Sequence, residues 1–560
     1  MTDMRRTILW VVFTMSLVLL WDAWNKHNGR PSMFTPAPPA VTASAPPPDA
    51  AGSASLPAAA GTAAGGGAIA AQAPAVAAEK LTITTDVFRA VIDTQGGSVT
   101  RLELLRYEDQ ADAKQTVTLL DSSAQRTYLA QSGLINRQDG GGPFPNHTTV
   151  MTALPGERSL AEGKDELAVV LESPVVNGLQ YRKTYVFKRG NYAIGVKHEV
   201  LNTGDQPREP QLYLQLARTM PANVSSGGFF SSFTSPASTF TGPAVYTDAT
   251  KFQKIDFADI DANKAELPPA ADNGWVAMVE HYFASAWLNV QPAQREFRVN
   301  KTDSLYRVAM VQSLPTLAPK ATQTVETTLF AGPQEEKKLE QLAPGLELVK
   351  DYGWFTILSK PLFWLLDKLH TLIGNWGWAI VALVVLLKIA FYWLNAKAYQ
   401  SMAKMKVVAP RVQELRERYK DKPQQMQQEM MRIYREEKVN PMGGCFPIMV
   451  QIPVFIALYW VLLSSVEMRG APWVLWITDL SVKDPFFVLP LLMTASTLLQ
   501  TWLNPTPPDP VQARMMWIMP LVFSVMFFFF PAGLVLYWLT NNLLSIAQQW
   551  FINKRLGVLK

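Results

Sequence analysis

From Met515 to Asn553 the chain carries no Asp, Glu, Lys or Arg. As a single helix this run would be about 58 Å long, twice the roughly 30 Å of a bilayer's hydrocarbon core. It therefore has to fold back, and Phe530-Pro531-Ala532-Gly533 is its strongest turn signal. The expectation is two spans, 515–530 and 531–552, and a basic tail, 553–560.

Composition extends that reading to the whole chain. Of 560 residues, 48% are hydrophobic and only 17% are charged, less charge than a soluble enzyme of this length carries. The chain reads as a polytopic membrane protein with a large soluble part. Cys445 is its one cysteine, so no internal disulfide forms. The five histidines are scattered without metal-ligand spacing. No phosphate loop, dinucleotide fingerprint or nucleophile elbow is present. The expectation is a chain that is not an enzyme and uses no cofactor or metal.

At the N-terminus, residues 1–6 include Arg5 and Arg6, which place this end in the cytoplasm. Within the expected anchor, 7–24, the apolar run Ile8–Trp21 is followed by Asp22 and Lys26 instead of a small-residue cleavage site. That favours an uncleaved anchor over a signal peptide. Residues 25–78 are rich in Pro, Ala and Gly and read as a disordered linker. Residues 79–345 show strand alternation in runs such as ELAVVLES and QYRKTYVFKR, and predict a periplasmic two-sheet sandwich. A helical pattern near Glu335–Leu348 closes it. His147, His198 and His281 read as ordinary surface or core histidines.

Residues 346–375 place apolar side chains at 355, 358, 362, 365, 366, 369 and 373. This predicts an amphipathic interfacial helix broken near Pro361, with a domain-capping helix as the other reading. The span 376–394 is apolar apart from Lys388. A lysine at mid-bilayer costs roughly 2.5–3.5 kcal/mol. Two readings are open: Lys388 snorkels to the interface, or it faces a water-filled cavity inside the bundle.

Residues 395–441 hold eleven Lys/Arg against six Asp/Glu, which places them in the cytoplasm. Two helical patterns around Asp421-Lys422-Pro423 predict a hairpin with an apolar seam. Its basic surface, with Lys404, Lys406 and Arg411, is either simply solvated or docks the ribosome, by RNA contact, or an acidic partner. The span 442–465 contains Pro447 and Pro453, with Gln451 between them as a second candidate for a cavity wall. Residues 466–485 read as a short polar periplasmic loop. Span 486–503 carries Thr497 and Gln500, and 504–514 is a Pro-rich cytoplasmic loop. Lys554, Arg555 and Lys560 put the C-terminus in the cytoplasm, so the span count is even, at six.

The run Asn440-Pro-Met-Gly-Gly-Cys-Phe-Pro447, then Gln451-Ile-Pro453, Ser401-Met-Ala-Lys-Met405 and Pro531–Tyr537, resembles the YidC/Oxa/Alb family of membrane protein insertases. The anchor and large extracytoplasmic sandwich resemble its Gram-negative form. The resemblance implies a five-helix core with a hydrophilic groove. It also implies insertion and folding of nascent inner-membrane proteins, alone or with the Sec translocon (SecYEG, SecDF), without ATP. Lys388 matches the position of the family's usual groove arginine, keeping the charge and losing the bidentate fork. Groove residues would then be Lys388, Gln451, Thr497 and Gln500. The matching hydrophobic slide would be Ile452, Phe455, Met526, Phe529 and Trp538. Nascent membrane proteins and lipids are the implied partners.

Two other classes compete. A secondary transporter with an intramembrane lysine site needs partner carboxylates or inverted repeats, and neither appears in the five later spans. A periplasmic binding module on a membrane anchor would need neither the basic hairpin nor the charged span.

Overall fold

The computed structural model describes residues 78–555, apart from 110–111, 113, 124, 138–141, 222–239, 290, 420–421, 438–445 and 505–509. The expected anchor, the linker and the residues Asn440–Cys445 lie outside the described residues, as does the tail beyond Arg555.

The expected sandwich is an all-β one. Its strands are β1 (Lys80–Thr84), β2 (Phe88–Asp93), β3 (Ser98–Glu108), β4 (Thr116–Ser122), β5 (Thr127–Asn136), β6 (Thr152–Ala153), β7 (Glu166–Glu172), β8 (Leu179–Lys188) and β9 (Ala193–Asn202). They continue as β10 (Pro210–Thr219), β11 (Gly242–Thr247), β12 (Lys251–Lys254), β13 (Trp275–Val279), β14 (Phe283–Leu288), β15 (Arg295–Thr302), β16 (Leu305–Ser313) and β17 (Thr322–Pro333). One sheet runs β1-β2-β3-β4-β5-β10-β16-β15, the other β12-β11-β13-β14-β17-β9-β8-β7-β6. The long pairs β10–β16 and β9–β17 are antiparallel. In β7 every second residue points inward, Leu167, Ala168's neighbour Val169 and Leu171, as period-two strands with one buried face require.

Polar groups cross the space between the sheets. Lys183 on β8 is fully buried and donates to the carbonyls of Gly96 (2.6 Å) and Ser132 (2.9 Å). Tyr181 bonds His198 at 2.6 Å, and His147 Nδ1 meets the Tyr213 hydroxyl at 2.5 Å. His147 and His198 are thus core residues. Burial, with Lys183 nearby, holds His147 down at about 4 and His198 well below the usual imidazole range. Burial likewise pushes Lys183 down to about 7.

Helix α1 (Phe257–Asp261) lies within the sandwich sequence, and α2 (Glu336–Leu342) closes it. The closing helix is shorter than the pattern over Glu335–Leu348 suggests, because a 3₁₀ turn takes Leu346–Val349. The helical part comprises α3 (Thr356–Ile373), α4 (Trp376–Ala390), α5 (Tyr392–Arg418), α6 (Pro423–Glu436), α7 (Phe446–Ser464), α8 (Val488–Leu503), α9 (Pro510–Phe527) and α10 (Ala532–Arg555).

Several expectations change here. Helix α3 is not broken at Pro361, and α7 runs through Pro453. Each proline removes only one ladder bond, and packing holds the helix: α3 buries Ser359, Phe363 and Leu366, with Ser359 Oγ donating to the Ala457 carbonyl. The buried face is therefore turned from the expected one, and Ile357 and Leu372 lie exposed on the other side. The helix expected over 376–394 ends at Ala390, and the chain bends by 69° into α5. No Pro or Gly marks this bend. Gln548 Nε2 donates to the Tyr392 carbonyl there, a side chain engaging the backbone at the break. Among the described residues no single helix is long and apolar enough to cross a membrane. The bent pair Trp376–Ala390 with Tyr392–Met405 passes that measure together.

Residues 466–485 are a packed cap, not merely a polar loop. They bury Met468, Ile477 and Leu480, and Trp473 seats on Gly377, where a Cβ would come within 2.2 Å of the indole. Val482 and Leu480 carbonyls accept from the first amides of α10, Ala532 (2.7 Å) and Gly533 (2.9 Å). These are the amides a helix start leaves unpaired. Asp484 caps α8 by accepting from the amide of Leu489 (2.7 Å) and holds Trp476 Nε1 (3.0 Å).

The sandwich and the helices are tied together. Lys350, with no side-chain exposure, pairs with Glu467 at 3.0 Å. Its ammonium lies 3.8 Å from the centre of the Phe363 ring. Val466 belongs to the sandwich core.

Candidate functional site

Beside the bend at Phe391 lies a small polar cavity of about 20 Å³, partly open to solvent. Its walls come from α4, the start of α5, α7 and α10, and its polar lining is Lys388, Asn395, Gln451 and Asn541. Lys388 sits on the last turn of α4, where its charge also faces the unpaired carbonyls of the helix end. Its Nζ donates to Ser545 Oγ on α10 at 2.6 Å. Across the cavity, Gln451 Nε2 on α7 donates to Asn541 Oδ1 at 3.0 Å.

No Asp or Glu occurs in α4, α7, α8, α9 or α10. Among the described residues no ion pair neutralises Lys388. The site is therefore a small polar chamber with one fixed positive charge, neutral amides and hydroxyls. It can attract an anionic group and lower the cost of dehydrating a polar one. It holds no acid–base pair or nucleophile arrangement for covalent chemistry.

The other expected groove residues lie elsewhere. Thr497 on α8 accepts from Asn542 Nδ2 at 3.0 Å, on a different face of α10 from Asn541. Gln500, one turn further along α8, is half-buried and does not line the cavity. Thr497 belongs to an α8–α10 seam that also includes Ser496 and Gln549. Asn395, Asn541 and Ser545 were not singled out by the sequence. The signal available was polar spacing alone: Asn541 and Ser545 are four apart on one helix face.

The expected slide residues divide into two groups. Phe455 stacks on Trp538 with ring centres 4.4 Å apart, and Trp538 meets Phe527 edge-on at 4.5 Å. Met526 packs partly buried against the same core. Ile452 and Phe529 are exposed, on α7 and just beyond α9 respectively. In the hairpin, Val408 and Val412 pack with Met405, Met430 and Ile433, the expected seam. Lys404 is exposed, Arg411 pairs with Glu437, and the Lys406 side chain lies outside the described residues.

Comparison with known proteins covers both halves. A family model described as the YidC periplasmic domain matches residues 80–365, and one described as the 60Kd inner membrane protein matches residues 368–558. The chain is 58% identical to the membrane protein insertase YidC of Cupriavidus necator, over 99% of this chain and 98% of that one. It is 57% identical to that of Ralstonia nicotianae, over 100% and 99%. A crystal structure of an active YidC insertase with its first transmembrane domain resolved aligns over 84% of this chain and 91% of that one, at TM-score 0.39 and 18% identity.

Proposed function

The chain belongs to the YidC family of membrane protein insertases, and on that premise we propose that the Lys388 chamber receives the polar, translocated end of a nascent chain. The protein is an inner-membrane insertase with a periplasmic sandwich, and not an enzyme. Its substrates are nascent membrane proteins and its surroundings are lipid. The observation that carries the reading is the uncompensated Lys388, held by Ser545 and set opposite the Gln451–Asn541 pair.

In this reading the polar tail enters the chamber while the apolar stretch lies against Ile452, Phe455, Met526, Phe529 and Trp538. The exposure of Ile452 and Phe529 beside the packed Phe455–Trp538 pair supports a route from chamber to lipid. Transfer of the apolar stretch, worth about 25 cal/mol per Å² removed from water, drives the step. Thr497 serves by holding α8 to α10 through Asn542 instead of touching the tail.

The finer topology is also proposed: six spans, both termini cytoplasmic, and the sandwich periplasmic. The charge-free stretch Met515–Asn553, broken between α9 and α10, supports the final pair of spans. The basic hairpin is proposed to dock the ribosome through Lys404, Lys406 and Arg411, and the Sec translocon is proposed as a working partner.

The test is site-specific photocrosslinking to a stalled nascent chain. Probes at Gln451 and Ile452 should capture it, and a probe at the exposed Val175 of the sandwich should not. Capture at the sandwich alone would favour a tethered binding module.

A further inference from the structure

In the chamber Gln451 and Asn541 form one hydrogen bond with each other, Nε2 to Oδ1 at 3.0 Å. A carboxamide carries one acceptor oxygen and one donor nitrogen. In either arrangement that keeps this bond, the pair leaves a donor nitrogen and an acceptor oxygen unused by each other, on two residues that line the cavity. Among the described residues neither leftover group, Gln451 Oε1 nor Asn541 Nδ2, has a side-chain or backbone partner. Asn395, mostly buried, adds a third carboxamide to the same wall. Lys388 is engaged separately by Ser545.

A donor and an acceptor left on paired side chains complement an extended polypeptide, which offers at each residue one N–H and one C=O on the same edge. We infer that the Gln451–Asn541 pair binds the main chain of the translocated tail, pairing with its peptide groups independently of side-chain identity. This rests on the proposed reading of the chamber as the tail's receptor and deepens it. Lys388 supplies preference for acidic tails, while the amide pair supplies affinity for any extended tail. A chamber built only to attract charge has no use for three carboxamides. A chamber that must accept many sequences needs a ligand feature that all of them share, and the peptide group is that feature.

The experiment uses the full-length protein in proteoliposomes and synthetic single-span substrates with uncharged tails of equal length. One tail is made of glycine and serine. In the other every second glycine is replaced by N-methylglycine, which removes the N–H without adding charge. The N-methyl tail is less costly to dehydrate, so unassisted entry would favour it. The unaltered protein should instead insert the N–H-bearing tail better by about fivefold, the scale of one net hydrogen bond. Gln451→Leu with Asn541→Leu should abolish that preference. The exchange Gln451→Asn with Asn541→Gln keeps one donor and one acceptor and should restore it, which separates lost recognition from lost folding. Lys388→Ala should lower insertion of acidic tails while leaving the preference between neutral tails intact. Equal insertion of both tails by the unaltered protein overturns main-chain recognition, even if Lys388→Ala still selects against acidic tails. Persistence of the preference in the double leucine variant overturns it too. If no chamber variant changes insertion of any tail, the underlying reading of the chamber fails instead.

Discussion

Lys388 and Ser545 are joined by a 2.6 Å hydrogen bond that links the last turn of α4 to the middle of α10. A hydroxyl orients an ammonium without neutralising it. The arrangement aims the charge into the chamber and leaves it available to a ligand.

That geometry predicts a graded series. Lys388→Arg should retain insertion, since the charge persists. Lys388→Ala and Lys388→Glu should leave the protein folded and in the membrane while lowering insertion of substrates with acidic tails about tenfold, the effect of losing one charge-assisted contact. Ser545→Ala should have a smaller effect in the same direction. Matched acidic and neutral substrates in vesicles at equal protein level provide the measurement, and identical efficiencies throughout would rule out attraction by Lys388.

The hairpin surface is predicted to matter for docking and little for folding. The Arg411–Glu437 pair is exposed and contributes about 0–1 kcal/mol. Replacing Lys404, Lys406 and Arg411 by Gln should leave thermal stability unchanged and reduce insertion from translating ribosomes. Unchanged co-translational insertion would remove the docking role.

The junction between sandwich and helices is predicted to be sensitive. Glu467→Gln strands the buried Lys350 charge, and leaving such a partner unpaired costs about 3 kcal/mol. The full-length variant should show faster hydrogen exchange at 346–352 and 464–469. Replacing both residues by Met and Gln should recover much of the loss, because no charge is then stranded. Equal exchange in all forms would mean that the pair contributes nothing.

Stability of the sandwich should rise with pH in two windows. His147 and His198 are held below the usual value of 6.5, so the unfolded chain takes up their protons first as pH falls; the His147 share of stability is lost between about 6.5 and 4, and the His198 share is lost progressively below 6.5. Lys183 is held at about 7 against an ordinary 10.5, so stability gained from its neutral form grows as pH rises through that interval. Lys183→Met should flatten the upper window and, by removing a charge that helps hold His147 and His198 down, narrow the lower one. Hydrogen exchange of β8 against pH is the check, and a flat profile for the unaltered protein between pH 7 and 10 would contradict the burial argument.

Topology has a direct test. In a Cys445→Ser background, a cysteine introduced at position 560 should resist an impermeant thiol reagent in intact spheroplasts, and one at Ser159 should react. Labelling of position 560 from outside contradicts the six-span arrangement.

The sandwich was legible because alternation along strands such as β7 records which face is buried. The hairpin seam was legible for the corresponding helical reason. Lys388 and Gln451 stood out because polar groups in apolar runs need partners. Their actual partners did not stand out: Asn541 and Ser545 meet them only because α10 packs against α7 and α4, a tertiary contact that no local pattern records. The cap at 466–485 was hidden by its charges. Asp484 is buried as a helix cap, and the apolar residues around it are too irregularly spaced to show a period. Thr497 looked equivalent to Gln451 in composition, and only the face of α10 that each meets separates them, Asn542 for Thr497 and Asn541 for Gln451.

Helix α5 begins at Tyr392, contributes Leu394 and Asn395 to the chamber wall, and continues without a break past Lys404. The distance along it from Asn395 to Lys404 is about 14 Å. One stiff rod thus has the chamber at its root and the hairpin at its far end, with Phe391 as its fulcrum. A load placed on the hairpin is a torque on the wall, so the two parts of the molecule cannot be moved independently.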